Sequence, residues 1–113
     1  MNLTVTVTSV GSDAHLHVAG DLAYGSTAHL IDTVDRLCDA RVSGLHLDFA
    51  ELTFCDSAGL SALLLIHRRA GTLGIPLHLD HRPPHLERIL EITGLREYLT
   101  VAAAKSSDET EIG

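Results

Sequence analysis

The sequence is poor in the features that mark membrane-spanning and nucleic-acid-binding chains. Its longest uninterrupted apolar run covers only residues 62–66, far short of the roughly 18 residues that a membrane span needs. It has eight lysine and arginine residues against 15 aspartate and glutamate residues, which gives a net charge of -7. Because nucleic-acid binding depends on clustered cations that neutralise phosphates, we expect no nucleic-acid partner.

Cysteine is scarce as well. Cys38 and Cys55 both lie among apolar residues, so we expect two buried thiols in a reducing compartment and no disulfide framework. Residues 1–4 lack the basic and apolar regions of a signal peptide. We therefore expect a cytoplasmic protein without a membrane partner.

The chain contains enough apolar residues for one domain with its own core. It has 113 residues, of which 45% are hydrophobic. Period-2 alternation on both sides of a Gly-Ser-Asp turn predicts an N-terminal hairpin. Further patterns predict two more strands and three helices, the first helix capped by Ser26 or Thr27. These predicted elements cover residues 3–8, 15–19, 26–38, 45–49, 57–71, 75–79 and 83–94.

This order predicts an α/β fold with a mixed sheet of four to five strands, an N-terminal hairpin and three main helices. The strand alternation indicates that one sheet face is better covered than the other. We expect a loop at residues 50–54, and a short final strand or a packed segment at residues 98–101. Residues 1–102 form the predicted domain, and residues 103–113 are a predicted disordered acidic tail.

The helix that follows residue 56 is the most apolar one, and Leu65 and His67 are expected to widen its buried stripe. The residues at the start of this helix are polar or small, as expected for a surface that another molecule can approach. Asp56 is a good helix N-cap, which places Ser57 in the first turn with its hydroxyl outward. Ala58 and Gly59 are small, so another protein can approach closely. A phosphate on Ser57 would add charge where a helix tolerates it and would change the surface without unfolding the domain.

Several other interpretations of these residues stay open. Ser57 could be only a structural residue of the helix cap, or a nucleophile, although the Gly-x-Ser-x-Gly pattern is missing. Cys55 could be a reactive thiol near a helix N-terminus, but the neighbouring Phe54 suggests burial. Histidine and aspartate recur on one face of three strands, which indicates a solvated polar face, because no closed-site metal spacing is present. We expect neither a metal nor a cofactor.

The run from Asp48 to Leu60, DFAELTFCDSAGL, resembles the signature of STAS domains, especially the bacterial anti-sigma factor antagonists. The resemblance extends to Gly20-Asp21-Leu22 and to the run LEITGL at residues 90–95. It implies a binding protein that is not an enzyme. Its partner would be an anti-sigma factor with serine kinase activity, which phosphorylates the motif serine, and a serine phosphatase would reset the switch. It also suits a monomer or a weak dimer.

Carried over by position, the resemblance makes Ser57 the phospho-acceptor, supported by Asp56. The implied partner surface consists of Asp21, Ala23, Tyr24, Asp56, Ser57, Ala58, Gly59 and Ser61. This chain has Ala23 where many members carry an acid. Two alternatives within the family are a scaffold subunit of a stress-signalling complex and a transporter-associated component that handles a small ligand or lipid.

Overall fold

Five strands and four helices make up the structure, a computed structural model that describes residues 2–100. The predicted tail at residues 103–113 lies outside the described residues, and the boundary at residue 102 stays a prediction. The strands are β1 (Leu3–Val10), β2 (Asp13–Leu22), β3 (Gly44–Asp48), β4 (Leu52–Cys55) and β5 (Leu77–Asp80). The helices are α1 (Thr27–Asp39), α2 (Ser57–Leu73), α3 (Pro84–Thr93) and α4 (Arg96–Thr100).

The sheet is mixed, as the element order predicts. β1 and β2 form the expected antiparallel hairpin, in which Val5 pairs with Val18. β3 lies parallel to β2, and β5 lies parallel to β3, so the spatial order is β1-β2-β3-β5. The α/β class, the hairpin at one edge and the three main helices are therefore confirmed.

The predicted loop at residues 50–54 is wrong, because residues 52–55 form strand β4. β3 pairs with the first half of β2. The chain then turns at residues 49–51 and continues along the same edge of β2, where β4 pairs with residues 20–22. The Gly20 N–H donates to the Glu51 carbonyl oxygen at 3.0 Å and helps to fix this return. β4 has only four residues, with both ends buried and the middle exposed, so it lacks the period-2 pattern that marks a strand.

The core lies on one face of the sheet, beneath the helices. The inward residues of β2, β3 and β5 are leucine, valine and alanine, and they are at most 5% exposed. Their neighbours in sequence point to the opposite face and are chiefly histidine and aspartate. The expectation that one face is better covered is confirmed. Leu86, Leu90 and Leu99 from α3 and α4 belong to the same core.

Helix α2 is the most buried helix, but its buried stripe is narrower than predicted. Leu63 and Ile66 are buried, whereas Leu65 is 46% exposed. Leu65 lies two turns beyond Ser57 at i+8 and therefore shares the outward face of the helix. His67 is packed, as expected, with its ring 4.5 Å from that of Tyr98. Gly74, with φ +71°, ends the helix after Leu73.

Of the two alternatives predicted for residues 98–101, the strand is wrong, since residues 96–100 form helix α4, and residue 101 lies outside the described residues. Gly94, with φ +76°, ends α3 as predicted and lets the chain turn into a further helical segment. Leu99 is fully buried and anchors this short helix, whereas Ile92, near the end of α3, is 73% exposed. Within residues 2–100, no helix is long and apolar enough to cross a membrane.

Candidate functional site

Asp56 joins the start of α2 to the loop that follows β2. Its backbone is extended, and its Oδ1 accepts a hydrogen bond from the Gly59 N–H at 2.9 Å, which confirms the predicted N-cap. Its Oδ2 accepts a second hydrogen bond from the Tyr24 N–H at 3.2 Å. These backbone donors, Gly59 first, lower the pKa of the Asp56 carboxyl group below its usual range. The group therefore carries its charge at neutral pH.

Ser57 is the first residue of α2, and its side chain is exposed. Within residues 2–100, no hydrogen bond involves its hydroxyl group, because Asp56 already caps the helix. One turn further along, Ser61 is exposed on the same side of the helix. The hydroxyl of Ser57 is thus accessible to another molecule and does not contribute to the cap.

The loop after β2 presents one large side chain to solvent. Tyr24 is 86% exposed, whereas the side chain of Ala23 is fully buried. The Ser26 hydroxyl accepts from the Ala23 N–H at 3.0 Å and donates to the Asp21 carbonyl oxygen at 2.7 Å. Ser26 precedes α1, but its hydroxyl does not cap that helix, because it holds this loop instead.

Three residues of the predicted partner surface, Asp21, Ala23 and Gly59, have structural roles that limit their contact with another protein. Ala23 can meet another protein only through its backbone. Gly59 is buried, and its role is a close approach: a Cβ there would overlap the Leu22 carbonyl oxygen and lie 2.9 Å from the Cys55 Sγ. The Asp21 carboxylate accepts a hydrogen bond from the Thr53 hydroxyl at 2.7 Å, which ties the end of β2 to β4.

The structure brings Tyr24, Asp56, Ser57 and Ser61 together at the N-terminal end of α2. Ala58 is half-buried beside them. Phe54, two residues before Asp56 on β4, is a further exposed side chain that the sequence did not predict, with 45% of it accessible. No alternation could have revealed it, because β4 is buried at both ends and exposed at both middle residues.

Cys55 is buried and unsuited to thiolate chemistry. Burial, assisted by the charge of the neighbouring Asp56, raises the pKa of its thiol to about 11. Burial likewise raises the pKa of Cys38. The interpretation of Cys55 as a reactive thiol is therefore not supported. In the part of the chain that the structure describes, no group of histidine, cysteine or acidic residues is arranged to hold a metal ion.

This arrangement, a capped helix start beside the end of a parallel strand, occurs in a chain that belongs to the STAS domain family. The family described as "Mlab, STAS domain" matches residues 5–101. The chain is 24% identical over 103 residues to the anti-sigma-B factor antagonist of Bacillus subtilis (strain 168), a match that covers 91% of this chain and 94% of that protein. The name of that relative describes a protein that antagonises another protein, in agreement with the expectation that the chain is a binding protein and not an enzyme.

Solved structures show the same fold. An anti-sigma factor antagonist from Mycobacterium paratuberculosis matches with a TM-score of 0.77 at 20% identity, over 86% of this chain and 82% of that one. The Bacillus cell fate determinant SpoIIAA in its phosphorylated form matches with a TM-score of 0.68 at 17% identity, over 83% and 86%. In the longer protein Mglu, the chain covers 20% of the length, with a TM-score of 0.65.

The close approach at Gly59 predicts that glycine-to-alanine substitutions at two positions of α2 change the free energy of unfolding in opposite directions. We expect Gly59→Ala to lower the free energy of unfolding by about 1–3 kcal/mol or more, because the added Cβ must displace Leu22 or Cys55. Gly71→Ala, at an exposed position of the same helix, should raise it by about 0.5–1 kcal/mol. Urea denaturation measures both, and equal effects at the two positions would contradict the role given to Gly59.

The two hydrogen bonds of Asp56 predict a pH-dependent contribution to stability. Because the folded-state pKa lies below the unfolded one, the stabilisation is present above the usual carboxyl range and is lost as pH falls through the folded pKa. Asp56→Asn should therefore lower Tm at pH 7, with a difference from the wild type that narrows towards pH 3. Asp32→Asn, in the exposed middle of α1, is the control. A pH-independent difference for Asp56→Asn would contradict this prediction.

Proposed function

We propose that this protein is an anti-sigma factor antagonist switched by phosphorylation of Ser57. In the unphosphorylated state it binds an anti-sigma factor that is also a serine kinase, and this binding releases the sigma factor. The kinase then phosphorylates Ser57 and the complex dissociates, and a serine phosphatase restores the binding state. The observation that carries the proposal is the exposed Ser57 hydroxyl at the start of α2, beside an N-cap that does not need it.

The position of Ser57 suits a modification that leaves the fold intact. A phosphate adds about -1.5 to -2 charges at neutral pH. The N-terminus of a helix favours negative charge, so α2 accommodates it. Since Gly59 and Tyr24 are already bonded to Asp56, these contacts do not depend on the Ser57 side chain. The added bulk and charge therefore act chiefly on whatever docks at this surface.

An exposed aromatic residue near Ser57 supports a protein partner. Aromatic residues make up only 4% of the chain, and yet Tyr24, whose N–H bonds to the neighbouring Asp56, is 86% exposed. Aromatic side chains bury a large area with few rotatable bonds, and tyrosine is enriched among residues that dominate binding energy. A partner that covers Tyr24 would bring its own groups close to Ser57. Phosphorylation would then force a doubly charged group, next to the charged Asp56, into a dehydrating interface.

Phosphate mapping tests the modification directly. We expect a kinase-type anti-sigma factor, encoded beside this protein, to transfer one phosphate from ATP to the intact chain. Mass spectrometry of peptides should locate it on Ser57, and Ser57→Ala should abolish the transfer. Ser61→Ala is the matched control, an exposed serine one turn along the same helix face, and it should still accept the phosphate. A single phosphate elsewhere, with Ser57 unmodified, would refute the proposal.

A phosphomimetic variant separates the surface role of Ser57 from a structural one. Ser57→Asp should weaken the complex with the same anti-sigma factor at least about 10-fold, which corresponds to about 1.4 kcal/mol. Its Tm should stay within about 2 °C of the wild type, because exposed substitutions of this kind change stability little. Isothermal titration calorimetry and thermal unfolding measure the two effects. A variant that unfolds, or one that binds with wild-type affinity, would contradict the surface role.

Tyr24 offers a sharper test of where the partner docks. Truncating an aromatic anchor in a well-packed interface typically reduces affinity about 10-fold or more. We expect this loss for Tyr24→Ala, which keeps the backbone N–H that bonds to Asp56. The control is the other tyrosine of the chain, Tyr98, which packs beside His67 and is 48% exposed. Tyr98→Ala should leave the affinity unchanged. The reverse order of effects would place the interface elsewhere.

A further inference from the structure

Strand β1 is a long edge of the sheet whose outer side is open. It has eight residues, and it pairs with β2 over its full length in an unbroken register. The strand contains no charged residue, no proline and no glycine. Proteins usually protect such an edge with charges, prolines, bulges or a short strand, because its unpaired N–H and C=O groups can pair with another chain. β1 has none of these protections.

The other edges of the sheet are short and partly occupied. β5, at the opposite edge, has four residues and directly follows Pro76. The Arg82 Nη1 donates to the Leu79 carbonyl oxygen of this strand at 2.6 Å. β4 also has four residues, and the His85 Nε2 lies 3.1 Å from its Leu52 carbonyl oxygen. β1 therefore differs from both, because it is long and its outer side is not covered.

The hydrogen bonds of the hairpin show which backbone groups of β1 are open. The Asp21 N–H donates to the Asn2 carbonyl oxygen at 2.9 Å. Because hydrogen-bonded positions alternate along an antiparallel pair, the even-numbered residues of β1 bond to β2, and the backbone groups of residues 3, 5, 7 and 9 point outward. Within residues 2–100, no hydrogen bond from another element reaches these outward groups.

Two copies of β1 match each other in the antiparallel register that pairs all of the outward groups. In this register Thr6 lies on the two-fold axis, opposite Thr6 of the second copy. Thr4 then lies opposite Thr8 on the open face, and Val5 lies opposite Val7 on the face that the helices cover. Cross-strand threonine pairs stabilise a sheet, and β-branched side chains pack well on its surface. The pairing would also cover Val7, which is 41% exposed.

We infer that the edge of β1 binds a second copy of this chain, in an antiparallel register centred on Thr6. The match of the strand with itself favours a second copy, because an uncharged edge offers no charge that would select an acidic or basic segment of another protein. The interface is isologous, since both copies contribute the same strand. A single strand pair is small beside the roughly 1,200–2,000 Å² of stable interfaces, so the dimer is weak and reversible.

The dimer leaves the start of α2 accessible in both copies. β4, which leads to Ser57, pairs with one edge of β2, and β1 occupies the other edge. The inference therefore does not rest on the function proposed for Ser57, and each can fail without the other.

Cysteine substitution at the two-fold axis tests the register. The Cα atoms of a non-hydrogen-bonded antiparallel pair are about 4.5 Å apart, which a disulfide can span. Under mild oxidation, the full chain with Thr6→Cys should form a disulfide-linked dimer on non-reducing electrophoresis. Thr8→Cys is the control on the same strand face, because the two copies of residue 8 would lie roughly 13 Å apart. It should stay monomeric, as should the wild type, whose Cys38 and Cys55 are buried.

Two double variants test the same contact without a covalent bond. Thr4→Lys combined with Thr8→Lys places like charges opposite each other, and it should weaken the dimer at least about 5-fold in sedimentation equilibrium. Thr4→Lys combined with Thr8→Glu places opposite charges there, and it should keep at least the wild-type affinity. The two lysines reduce the net charge of -7, so a general charge effect would strengthen association instead.

The inference is refuted if the wild-type chain stays a monomer up to about 1 mM, which would leave the edge to a segment of another protein. It is also refuted if the two cysteine variants link equally, or if the two double variants associate equally. Should the β1 variants fail to fold, hydrogen exchange of the wild type decides instead. Exchange of the outward Val5 and Val7 amides must slow as protein concentration rises, and exchange that does not depend on concentration would overturn the inference.

Discussion

The surface formed by Tyr24, Asp56, Ser57 and Ser61, the Ser57 surface, depends on one contact. This contact is the approach of α2 to the end of β2. At Gly59 the helix backbone meets the Leu22 carbonyl oxygen so closely that no side chain fits between them. This contact fixes the rotation of the helix, because only one residue in the first two turns lacks a Cβ. With the rotation fixed, Ser57 and Ser61 must face outward, and Asp56 lies where it can accept from both Gly59 and Tyr24.

Much of this arrangement could be predicted from the sequence, since the responsible patterns are local. The hairpin follows from alternation around a turn, and the helix start follows from Asp56 before a long apolar run. The missed elements have no such local pattern. Strand β4 is short, and it is buried at both ends because it fills the edge of β2 beyond β3. Helix α4 depends on Leu99 reaching the core that other elements build. Long-range packing decides both.

The same distinction applies to the candidate site. Asp56 was predictable as a cap, because its partner Gly59 is three residues away. The exposure of Tyr24 and the burial of Ala23 were not predictable, because they depend on a hydrogen bond that spans 32 residues and on the Ser26 hydroxyl turning back into the loop. A family resemblance assigns positions to a surface, and only the fold decides which of those positions have side chains that reach it.

The chain has no tryptophan and only two tyrosines, and their surroundings have a practical consequence. Tyr24 is surrounded by water at the edge of the Ser57 surface, whereas the ring of Tyr98 lies against the His67 imidazole. The intrinsic fluorescence of the protein therefore arises from one solvated phenol and one packed phenol in chemically different surroundings. Excitation near 280 nm thus carries a natural optical reporter at the docking surface. Energy transfer from Tyr24 to a tryptophan of an approaching protein would reveal encounter without any attached dye.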